Sequence, residues 1–68
     1  MEELIARLKN VPDAYDDFII GITTYAKKKP ERLQKVMEYL EEHDNLTSSD
    51  IVYFVSTQPD FQEDNAKL

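Results

Sequence analysis

His43 and the serines Ser48, Ser49 and Ser56 are the side chains whose types could support hydrolytic chemistry, with a hydroxyl as nucleophile and the imidazole as its base. His43 is the single histidine, Gly21 the single glycine, and there is no cysteine. Thiolate nucleophiles, Cys/His zinc sites and glycine-rich phosphate loops are therefore outside this repertoire. Ser48 and Ser49 follow Thr47 at the head of a helical segment and read as capping residues. His43 lies at a helix end, where a cation complements the carbonyl-rich terminus. Asp44, Asn45 and Asp50 do not have the spacing of a calcium-binding loop, and its invariant glycine is missing. The reading is non-enzymatic, with no catalytic residue, cofactor or metal.

Charge offers two other constellations. Fourteen acidic against eight basic residues give a net charge of −6. Such a surface repels nucleic acid and anionic membranes and attracts basic partners. The stretch KKKPERLQK runs against this balance: Lys27, Lys28, Lys29, Arg32 and Lys35 are five of the eight basic residues, set against Glu31 alone. As a phosphate-binding patch these five define the alternative function, a nucleic-acid-associated regulator. Their simpler role is to stabilise the negative end of one helix dipole, with Lys35 paired to Glu31. The acidic set Glu38, Glu41, Glu42 and Asp44 is harder to explain locally. It gathers at the C-terminal end of a helix, where negative charge is unfavourable, and Glu38 and Glu42 form a like-charged i,i+4 pair. Residues that oppose helix stability are candidates for binding a basic partner.

These groups must be positioned by helices, because apolar residues recur at helical spacing along the chain. The spacing predicts an all-α single domain, a compact bundle of about four short helices over 2–9, 13–28, 30–43 and 48–58. Its boundaries are residues 1–60, with a frayed, flexible tail over 61–68. The inward faces are Met1, Leu4, Ile5, Leu8 and Val11; Tyr15, Phe18, Ile19, Ile22, Tyr25 and Ala26; Leu33, Val36, Met37 and Leu40; and Ile51, Phe54 and Val55. Over FIIGITTY a strand competes, but alternation would leave apolar groups on both sides. Asp13 reads as the N-cap of the second helix, Pro30 as the first turn of the third, and Asn45 as the left-handed residue after it. Thr47 and Asp50 have the capping-box spacing. Consecutive helices with breaks this short are expected to lie as near-antiparallel neighbours. Ile20, Val52 and Tyr53 fall off the inward stripes and are candidate partner contacts.

The segment LQKVMEYLEEHDNLTSSDIVYFVS resembles the opening of helix-turn-helix and winged-helix domains, with Leu46, Thr47, Asp50 and Ile51 matching the stretch that starts the next helix. That resemblance implies a following recognition helix with basic side chains. The chain instead reads STQPDFQEDNAKL, so the part that would read DNA is absent from the pattern.

MEELIARLKN has no apolar core, which predicts no secretory signal, and the apolar run IVYFV is too short to span a bilayer. The expectation is a cytoplasmic, non-membrane adaptor, inhibitor or antitoxin/immunity-like module that binds a basic protein, nucleic acid being an unlikely partner and the oligomeric state open.

Overall fold

Among the described residues, proline, capping residues and one left-handed asparagine delimit four helices of eight residues or more. They are α1 (Glu2–Lys9), α2 (Asp16–Lys27), α3 (Pro30–Glu42) and α4 (Ser48–Ser56). The structure, a computed structural model, describes residues 1–61. The tail expected over 61–68 lies outside the described residues from Gln62 onward. No strand occurs among the described residues, and FIIGITTY is helical.

α1 follows its charge pattern, with Glu2 and Glu3 in the first turn and Arg7 and Lys9 in the last. A tight turn then bonds Val11 N to Leu8 O and Ala14 N to Val11 O. That turn corrects the expected cap of the second helix. α2 starts at Asp16 after an extended Tyr15 that makes no side-chain cap bond. Asp13 serves α4 instead: its carboxylate accepts from Ser48 N at 2.7 Å and from Ser48 Oγ at 3.0 Å. Tyr15, left outside the helix, is 54% exposed, not inward-facing, and Met1 at the chain start is 41% exposed.

α3 opens with Pro30 in its first turn after an extended Lys29, the conformation that a following proline favours. It ends where His43 turns extended and Asn45 adopts φ 59°. Thr47 and Asp50 then form the reciprocal capping box of α4, with bonds of 3.3 and 3.0 Å. After Ser56 the backbone breaks at Thr57 and Gln58, and residues 59–61 form a further helical turn, so α4 stops short of the expected 58.

The core is drawn from all four helices: Leu4 and Leu8, then Phe18, Ile22 and Ala26, then Val36, then Ile51 and Val55. α2 is its spine and packs against each of the other three. α4 rests on α2 more than on its sequence neighbour α3, which it meets through the stacked rings of Phe54 and Tyr39, 4.1 Å between centroids. On α3, Leu33, Met37 and Leu40 are only partly buried; the fully buried positions are Val36 and Arg32.

Candidate functional site

The C-terminal half of α3 carries Glu38, Glu41 and Glu42 on two sides, and Asp44 follows in the α3–α4 connection. Glu41 turns toward α1, where its carboxylate lies 3.6 Å from Nη2 of Arg7. The same guanidinium is 3.9 Å from Glu3, its i,i+4 neighbour on α1. Glu38 accepts a bond from Gln34 Nε2 at 3.2 Å. Glu42 and Asp44 are exposed and have no ion pair among the described residues. No basic residue occupies the last turn of α3, so the exposed carbonyls there add to the carboxylate field.

Two shallow depressions flank this end. An open groove of about 590 Å³ runs between the end of α1 and the α3–α4 connection, lined by Arg7, Val11, Leu40, His43, Asp44 and Leu46 among others. A smaller one of about 230 Å³ is formed by Lys35, Glu38, Tyr39, Glu42, Phe54 and Gln58. Each has an apolar floor and charged edges. His43 is exposed and packs its ring 4.6 Å from that of Tyr39.

Two of the three serines are engaged structurally, and Ser49 is exposed. Ser48 is 5% exposed and held by Asp13, and Ser56 Oγ donates to the carbonyl of Tyr53 at 2.9 Å. Those two bonds from Ser48 draw the Asp13 carboxyl below its ordinary value, the backbone N–H contributing most.

The basic run is divided by the fold. Lys27, Lys28, Lys29 and Lys35 are exposed, but Arg32 is 1% exposed. Its Nε donates to Asp60 Oδ2 at 3.0 Å, its Nη2 to the Asp60 carbonyl at 3.3 Å, and its Nη1 to the Tyr25 carbonyl at 3.4 Å. The guanidinium also lies over the Tyr25 ring, 4.5 Å from its centroid. Tyr25 Oη also donates to Asp60 Oδ1 at 2.8 Å. Burial pushes the Asp60 carboxyl upward, but the Tyr25 hydroxyl and the Arg32 guanidinium outweigh it and hold the group below its ordinary value. Arg32 is therefore buried, whereas the lysines that surround it in sequence are exposed. Asp60 escaped the sequence reading altogether. Its partner lies 28 residues away, and no local pattern announces the pairing. Arg32 had a readable signal: it sits four residues before Val36 and seven before Tyr39, on the stripe that turns inward.

Of the apolar candidates, Ile20 is 62% exposed, Val52 43% and Tyr53 71%. Ile20 lies on α2, and Val52 and Tyr53 lie on α4. Beside Ile20, Gly21 faces open space, with nothing within 4 Å of a side-chain carbon built there.

Among the described residues no helix is long and apolar enough to cross a membrane, and no cluster of three or more His, Asp or Glu is placed to hold a metal ion. The chain matches no family model, no curated protein and no solved structure.

Proposed function

We propose that this chain is a small non-enzymatic binding module that engages a basic protein through the C-terminal end of α3. The observation that carries the reading is the exposed pair Glu42 and Asp44, with Glu38 beside them. These residues crowd a helix terminus that has no basic residue in its last turn. Local physics disfavours that placement. The flanking depressions, floored by Leu40, Tyr39 and Phe54, supply apolar surface next to the charge. Acidic steering would bring the partner in, and burial of apolar surface would hold it. Val52, Tyr53 and Ile20 extend the apolar area available for contact.

The nucleic-acid alternative has less support. With Arg32 held by Asp60, the exposed cations of this run reduce to Lys27, Lys28 and Lys29 at the α2–α3 junction and Lys35 on α3. Lysines there also complement the carbonyl end of α2. The reading of a cytoplasmic adaptor, inhibitor or immunity-like protein is a refinement of the same proposal and rests on composition.

Affinity capture with the wild-type chain, followed by mass spectrometry, tests the proposal. It predicts a basic protein that elutes with rising salt and is retained less by Glu38→Gln, Glu42→Gln, Asp44→Asn. Capture unaffected by both salt and these substitutions would refute it.

A further inference from the structure

We propose that the outward face of α4 is a self-association surface, on which a second copy of this chain packs its own α4 antiparallel about Val52 and Tyr53. The surface uses none of the acidic residues at the end of α3, so either proposal can fail alone.

Spacing defines the face. Ser49, Val52, Tyr53 and Ser56 recur at i, i+3, i+4 and i+7, so one side of the helix carries all four. The other side, with Ser48, Ile51 and Val55, is buried in the bundle. Val52 and Tyr53 are among the large apolar side chains left exposed, and Ser49 is exposed beside them.

Charge points to the occupant. α1, α2 and α3 carry four, three and six charged residues, whereas α4 carries only Asp50. Asp50 lies off the stripe, and its carboxylate accepts from Thr47 N at 3.0 Å. The face is therefore uncharged on a chain of net charge −6. The charge of a basic partner finds no counterpart on it. A second acidic copy, repelled by the surface as a whole, meets no like charge there.

The pattern is also self-complementary. About a two-fold axis between Val52 and Tyr53, Val52 of each copy lies opposite Tyr53 of the other, and Ser49 lies opposite Ser56. That is the reciprocal pairing a two-fold interface requires. Serines at both ends are small and let the backbones approach, while the aliphatic and aromatic side chains fill the centre. Ser56 Oγ already donates to the Tyr53 carbonyl at 2.9 Å, so covering it strands no donor. Size sets the strength. α4 has nine residues, a length of about 13 Å. Its face alone falls short of the ~800 Å² per partner of a standard interface. The dimer is therefore weak, with a Kd on the order of 0.1–1 mM.

Sedimentation equilibrium on the full chain, from about 0.05 to about 2 mM, tests this. A monomer–dimer equilibrium is expected. Its Kd should fall at least about threefold between about 50 and about 500 mM salt, because screening relieves repulsion between the acidic copies. Val52→Lys, Tyr53→Lys changes only exposed positions and should stay folded. It should remain monomeric throughout, although it lowers the net negative charge. The register is read by disulfide formation, since the chain has no cysteine of its own. Ser49→Cys and Ser56→Cys proteins, mixed equally at about 1 mM and equilibrated in a glutathione buffer, should favour the mixed disulfide. Its excess over the two symmetric disulfides combined should be at least about threefold, because only the mixed pair stands within bonding reach. A chain that stays monomeric at about 2 mM, or a dimer that salt weakens, would overturn the proposal. So would a lysine variant that dimerises like the wild type, or mixed and symmetric disulfides in equal amounts.

Discussion

The carboxylate of Asp60 closes onto Arg32 with Oδ2 3.0 Å from Nε, joining the turn after α4 to the first turn of α3. A cation this deeply buried is stable only while paired, because an unpaired charge in the interior costs several kcal/mol. Asp60→Ala should therefore destabilise the fold by about 2–4 kcal/mol, reduced from the fully buried case because Asp60 is partly exposed. Arg32→Met combined with Asp60→Ala should lose less than Asp60→Ala alone, since the apolar side chain removes a buried charge that has lost its Asp60 bonds. Urea unfolding of the three variants checks this ordering. A double variant less stable than the single would contradict it.

Acid should find the same pair. The folded-state pKa of Asp60 is lowered, so its contribution to stability is present above the unfolded carboxylate value and is lost as pH falls through the folded one. Asp13 shifts in the same direction because of its Ser48 bonds. Both losses belong below about pH 4, around and beneath the ordinary Asp value of 3.8. Thermal melts from neutral pH down to about pH 2.5 should show stability falling through this window. The fall should be shallower in Asp60→Asn, which no longer titrates there.

Gly21 lies mid-helix in α2 without positive φ and with free space where a side-chain carbon would stand. Gly21→Ala should raise stability by about 0.5–1 kcal/mol through the entropy of the unfolded chain and helix propensity. A rise in melting temperature checks it; a decrease would mean that α2 needs the glycine.

In the core, the completely buried Leu8 and the partly buried Leu33 should separate. Leu8→Ala should cost about 2–5 kcal/mol. Leu33→Ala should cost less, because water can fill part of the space it leaves. Comparable losses would place Leu33 deeper than its burial indicates.

Helix number and most helix ends were legible because their causes are local. Pro30 fixes the start of α3, Asn45 takes the left-handed turn, and Thr47 with Asp50 close the capping box. What was not legible depends on contacts between distant residues. Asp13 has the right type to cap α2, yet its partner is Ser48, 35 residues on. Arg32 looks like one more cation in a basic run until Asp60 and Tyr25 enclose it. The apolar surplus at Ile20, Val52 and Tyr53 was readable as off-stripe, and the packing leaves all three exposed. The tie between Glu41 and Arg7 was not readable, since α1 and α3 meet only in the folded chain.

Glu41 sets a boundary on the acidic surface. Its pair with Arg7 is solvent-exposed on both sides, which limits its worth to about 0–1 kcal/mol. Glu38 and Glu42 are the better probes, because neutralising them relieves like-charge repulsion and an unfavourable dipole interaction. Glu38→Gln, Glu42→Gln should leave stability within about 0.5 kcal/mol of the wild type or raise it slightly. The most direct measurement is the association rate of this double variant and the wild type with the captured basic partner, at about 50 mM and about 500 mM salt. The account predicts a rate about 3–10-fold slower for the variant at low salt, converging with the wild type at high salt. Equal rates at low salt, with both proteins folded, would contradict it.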